Sequence, residues 1–113
     1  MRSGGKQGSV AILSAAIATG AGSAHQPQSD IRTFQATGAT SAGAGAATIK
    51  IQGSNVPEPS VDGDWVDLGT ITLTLSTTKT GDGFVSEAPW RHVRANVTAI
   101  SGTDASVSAY MGC

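Results

Sequence analysis

The chain has 113 residues, seven of them basic and eight acidic, for a net charge of −1 and a pI near 6.0. It holds no Lys/Arg run that could grip a phosphate backbone, which argues against nucleic-acid binding. Its one cysteine, Cys113, can close no internal disulfide and belongs to no zinc-binding cluster; it reads as an exposed terminal thiol.

This length suits a single domain. Two Trp, two Phe, one Tyr and two Met are the only bulky fillers besides aliphatic residues, against 15 glycines. A core built this way is expected to draw part of its burial from neighbouring chains.

Arg2 and Lys6 precede an apolar stretch over residues 10–18, which ends in Thr19-Gly20-Ala21-Gly22. The arrangement imitates a secretory leader, but the stretch is diluted by Ser and Thr and is too short to span a bilayer. It reads as a strand or extended arm with too few large side chains to be fixed by its own domain. Residues 1–29 are therefore expected to be an N-terminal arm, with Ile12 and Leu13 seated on another chain. Residues 30–113 are expected to form the folded domain.

From Ile31 onward the apolar period is two, the signature of half-buried strands. Phe34 and Ala36 point inward in the first strand, and residues 37–45, rich in Gly, Ala, Ser and Thr, read as a loop. Ala47, Ile49 and Ile51 alternate with Thr48, Lys50 and Gln52. Two prolines in Gly53-Ser54-Asn55-Val56-Pro57-Glu58-Pro59 break the pattern. Trp65 is assigned to the core, Gly69 to a bulge or kink, and Ile71, Leu73 and Leu75 to the inner face of the next strand. Residues 80–83 (Thr-Gly-Asp-Gly) read as a turn. The longest strand, residues 90–100, puts Val93, Ala95, Val97 and Ala99 on one face and Trp90, His92, Arg94, Asn96 and Thr98 on the other. A last strand carries Ala105, Val107, Ala109 and Met111 inward. Short strands separated by turns predict an all-β antiparallel β-sandwich or jelly roll, with Phe34, Trp65, Leu73, Val93, Val97 and Val107 as core anchors.

Catalytic and metal signals are weak. His25 and His92 are the only histidines, and there is no Gly-x-Ser-x-Gly elbow. Asp62, Asp64 and Asp67 lack the glycine and terminal glutamate of a calcium loop and read as solvating acids. Gly43 and Gly45 are not followed by the Lys-Ser/Thr of a phosphate loop. No enzyme activity, cofactor or metal is expected.

Several phrases run in a fixed order: Ile49-Lys50-Ile51-Gln52-Gly53-Ser54-Asn55, then Trp65-Val66-Asp67-Leu68-Gly69-Thr70, then Ala88-Pro89-Trp90-Arg91-His92-Val93-Arg94, then Ile100-Ser101-Gly102-Thr103. Their succession resembles small β-sandwich virion proteins of tailed bacteriophages, of the capsid cement or decoration type, across essentially the whole chain. That resemblance implies a structural protein at the capsid surface. Its partners would be the major capsid protein or other virion proteins, with the chain a homo-oligomer or lattice-associated and no nucleic acid or membrane involved. Ile12, Leu13, Trp90, His92 and Arg94 are the candidate interface residues. A tail, neck or fibre subunit is the alternative within the virion. A looser likeness, through Gly53-Ser54-Asn55, Trp65 and Leu68-Gly69, is to discoidin-type carbohydrate-binding jelly rolls, which implies a host-attachment module instead.

Overall fold

A computed structural model describes residues 9–22, 24–25, 32–86 and 90–112. Eight strands run in chain order: β1 (Ser9–Ala16), β2 (Gly20–Ala21), β3 (Arg32–Ala39), β4 (Ala42–Ser54), β5 (Val66–Leu75), β6 (Thr80–Ser86), β7 (His92–Thr103) and β8 (Ser106–Gly112). They form two four-stranded sheets, β1-β8-β3-β6 and β2-β7-β4-β5. Every pairing between neighbours is antiparallel. The protein is an all-β sandwich. Its shortest dimension is 17 Å, the thickness of two stacked sheets and little more.

Alternation explains the core. In the second sheet, Ile49 lies opposite Val97 on one side and Ile71 on the other, and Ala47 lies opposite Leu73. The facing layer comes from Ile12, Phe34, Ala36, Val107, Ala109 and Met111 of the first sheet. Phe34, Leu73, Val93, Val97 and Val107 are all buried in this one cluster. The Phe34 and Phe84 rings pack across β3 and β6 at 5.4 Å between centroids.

Trp65 is the exception among the assigned anchors. It is half-buried and lies outside the core cluster, beside Arg94. Trp90 packs on the core instead, against Gly53. The bend at Arg91 just before β7 breaks the two-residue period, so Trp90 does not share the face of His92 and Arg94.

Three other sequence expectations differ from the structure. Most of residues 37–45 continue β3 and open β4, and residues 80–83 open β6 rather than forming a turn. Small residues permit close strand approach there: a side chain on Gly83 would collide with the Phe34 carbonyl. Within β7, a register shift opposite Thr48 and Ile49 leaves Thr98 as the extra residue. The inward phase therefore jumps, so that Ile100 packs on the core while Ala99 is exposed.

The N-terminal arm also departs from expectation over its described part. Ser9–Ala16 is the edge strand of the first sheet, paired with β8, and Gly20–Ala21 pairs with β7 in the second. The Gly22 amide donates to the Ala95 carbonyl at 2.8 Å, and His25 and Val93 exchange two backbone bonds of 2.8 Å. Ile12 is 2% exposed and belongs to the protein's own core. One well-placed isoleucine, supported by Leu13 and Ala16, suffices because β8 and β7 supply the backbone partners. The sandwich thus includes residues assigned to the arm; residues 1–8, 23 and 26–29 of that arm, and Cys113, lie outside the described residues.

Candidate functional site

The outer face of the second sheet carries the densest polar grouping among the described residues. Register sets it up: Gln52 of β4 lies opposite Arg94 of β7 and Asp67 of β5, and Ser54 lies opposite His92. Alternation puts these side chains on the face away from the core. The 55–65 loop, which carries a single 3-10 turn at Asp62–Asp64, brings Asp62 and Trp65 against Arg94.

Arg94 is the hub. Its Nε donates to Gln52 Oε1 at 2.8 Å, and its Nη2 donates to Asp62 Oδ1 at 3.1 Å. The guanidinium lies 4.6 Å from the centroid of the Trp65 ring, within cation–π range. The Gln52 amide then donates from Nε2 to Asp67 Oδ1 at 2.8 Å, and Lys50 Nζ reaches Asp67 Oδ2 at 3.1 Å. The Gln52 hydrogen bond, then Lys50, lowers the Asp67 pKa below its ordinary value.

The two ion pairs are unequal in setting. Arg94's side chain is 10% exposed, whereas Asp62's is 95% exposed. A carboxylate so open to water makes a weak, exchangeable partner. The buried arginine relies on Gln52 and Trp65 for the rest of its environment.

The loop is pinned at its root as well. Asn55 Oδ1 accepts from the Arg91 amide at 3.0 Å, and Ser54 Oγ accepts from the Val56 amide at 3.1 Å. Asp64 Oδ2 accepts from the Ser60 and Val61 amides at 2.9 and 3.2 Å. Those backbone bonds, Ser60 first, hold the Asp64 carboxyl below the usual range. Asp62, Asp64 and Asp67 therefore turn to different partners, and no three potential metal ligands converge among the described residues.

His92 stands apart chemically. It is 7% exposed, and its Nε2 is buried without a hydrogen-bond partner. Buried polar atoms are paired in the great majority of cases, so an open position of this kind calls for an explanation.

Of the candidate interface residues, the structure brings His92 and Arg94 together on one outer face. It separates them from Trp90, which is half-buried on the core, and from Ile12 and Leu13, which pack into the sandwich. Gln52, Trp65 and Asp67 complete the cluster. Sequence alternation already turned Lys50 and Gln52 outward; the register that sets Gln52 beside Arg94 and Asp67 was not readable from it. At the other end of β7, a hollow of about 280 Å³ is lined by Ile17, Ile100, Ser101, Gly102, Asp104 and Ala105.

No protein-family model matches this chain, nor does any curated protein or solved structure.

Proposed function

We propose that this chain is a bacteriophage virion structural protein, a capsid cement or decoration protein that binds the head lattice and stabilises it. The observation that carries the reading is the strand order, β1-β8-β3-β6 over β2-β7-β4-β5. This order supports reading the sandwich as a jelly roll, an architecture shared by viral capsid and lectin domains. The step from that architecture to a virion is an analogy of fold, supported by the ordered sequence phrases that resemble phage cement proteins. The partner is the major capsid protein or another virion protein.

Open edges fit this role. β6 ends the first sheet and β5 the second, so each has a backbone edge without a strand partner within its sheet. Val85 on β6 and Val66 on β5 are exposed. Repeated modest contacts over a lattice give firm attachment when one copy bridges two or more subunits. The test is to prepare heads lacking the protein and challenge them with heat and osmotic shock. A cement role predicts heads that assemble yet rupture earlier than normal, with recovery when the protein is added back. Heads equally robust without it would overturn the reading.

One observation favours a second reading, a carbohydrate-binding module for host attachment. Trp65 stands outside the core beside Arg94, Gln52 and Asp67, an aromatic-polar grouping suited to a sugar. That role predicts intact heads and lost adsorption to host cells.

A further inference from the structure

We infer that the docking surface for the lattice is the 55–65 loop, and that its occupant is a basic, partly apolar surface on the capsid subunit. This rests on the cement reading and names the face that performs it.

Charge gives the first argument. Residues 55–67 hold Glu58, Asp62, Asp64 and Asp67, half of the chain's eight acids, and no Lys or Arg. Asp62 is matched by Arg94 and Asp67 by Lys50. Glu58 and Asp64 face no cation among the described residues, so the patch keeps an uncompensated negative charge. A basic surface complements it, whereas an acidic surface or a nucleic acid would be repelled. Two copies meeting patch to patch across a two-fold axis would also bring like charges together, which disfavours self-association here.

Apolar exposure gives the second. Ile17, Val56, Val61, Val66 and Val85 are the exposed large hydrophobics among the described residues, and two of the five, Val56 and Val61, sit in this loop. Val61 is 61% exposed. Exposed valines in the same loop as Glu58 and Asp64 combine apolar surface with charge, as protein interfaces do.

The third argument is that the loop is held in shape before any partner arrives. Asn55, Asp62 and Asp64 each tie it by side-chain hydrogen bonds, which lowers the ordering cost of docking. A cationic side chain pressing on the loop is thus matched at the Glu58 and Asp64 carboxylates.

The test uses heads prepared without the protein and titrates them with three forms of the full chain. These are the natural sequence, a patch variant carrying Glu58→Lys and Val61→Ser, and Ile17→Ser at the opposite end of β7. All three should melt alike, since the substituted side chains are exposed. The natural chain and Ile17→Ser should bind equally, more weakly as salt rises, and the patch variant should lose on the order of tenfold in affinity. Equal binding by the patch variant would overturn the docking assignment while leaving the cement reading intact. Failure of the natural chain to bind heads would overturn the cement reading itself, and the assignment with it. A patch variant that binds heads normally but no longer self-associates would mark this face as a contact between copies, against the proposal.

Discussion

Trp90 occupies the space that a side chain on Gly53 would need: a Cβ there would lie 2.6 Å from Trp90 Cγ. Gly53 faces the core opposite Val93, so the indole closes one end of the sandwich only because that position is bare. Gly53→Ala should destabilise the protein by about 1–3 kcal/mol through overpacking. Chemical denaturation checks this, and a variant as stable as the natural chain would mean that Trp90 can swing away at little cost.

Gly69 has the same relation to Phe84, whose Cζ would lie 2.6 Å from an added Cβ. The sequence marked Gly69 as a bulge or kink. A register shift does fall beside it, where Leu68 is the extra residue between Ile51 and Gln52 of β4, but packing supplies a separate reason for the glycine. Alternation made Ile71, Leu73, Val93 and Val97 legible as one inner face because each side chain answers to its own strand. Trp65 and Trp90 were exchanged in role because each adjoins a strand end, where the bend at Arg91 and the 55–65 loop reset the phase. The polar cluster was only half legible. It depends on register between strands 42 residues apart in sequence, as in the Arg94–Gln52 bond, and no local pattern encodes that.

Leu73→Ala should cost about 2–5 kcal/mol, the range for a buried leucine truncated in a packed core. Its neighbour Thr72 is exposed on the opposite face, and Thr72→Ala should stay within about 0.5 kcal/mol. Paired melting curves would check the contrast, and equal losses would mean the faces of β5 are assigned wrongly.

Arg94 and Asp62 should respond unequally to truncation. Arg94→Ala strands the buried Gln52 carbonyl oxygen and removes the cation under Trp65, at about 1–3 kcal/mol. Asp62→Ala removes an exposed carboxylate and should cost about 0–1 kcal/mol. Denaturant midpoints for the two variants would check the order; a larger loss for Asp62→Ala would contradict the picture of Arg94 as hub.

Asp67 links the cluster to pH. Its folded pKa is lowered by Gln52 and Lys50, so its contribution is present above the unfolded value of about 3.9 and fades as pH falls through the folded value. Asp67→Asn should therefore differ from the natural chain in stability at pH 7 and converge with it at pH values below the folded pKa. Stability curves for both across that window would check the sign, and a gap that widens on acidification would contradict it.

The segment from β1 through Gly22 gives a prediction opposite to that of a free arm. In the isolated protein the Gly22 amide, bonded to Ala95, should exchange slowly with solvent, and Ile12→Ala should lower stability by about 2–5 kcal/mol. Amide exchange on the unassembled chain checks both the natural form and the variant. Rapid exchange at Gly22 in the natural form would mean that this segment is held only within an assembly.

The most direct measurement of the central claim is the copy number of this chain in purified virions, quantified against the major capsid protein of the same particles. A cement protein is predicted to be present in fixed proportion to the capsid subunit and to remain with heads after tails are removed. A handful of copies per particle, leaving with the tail, would contradict the account.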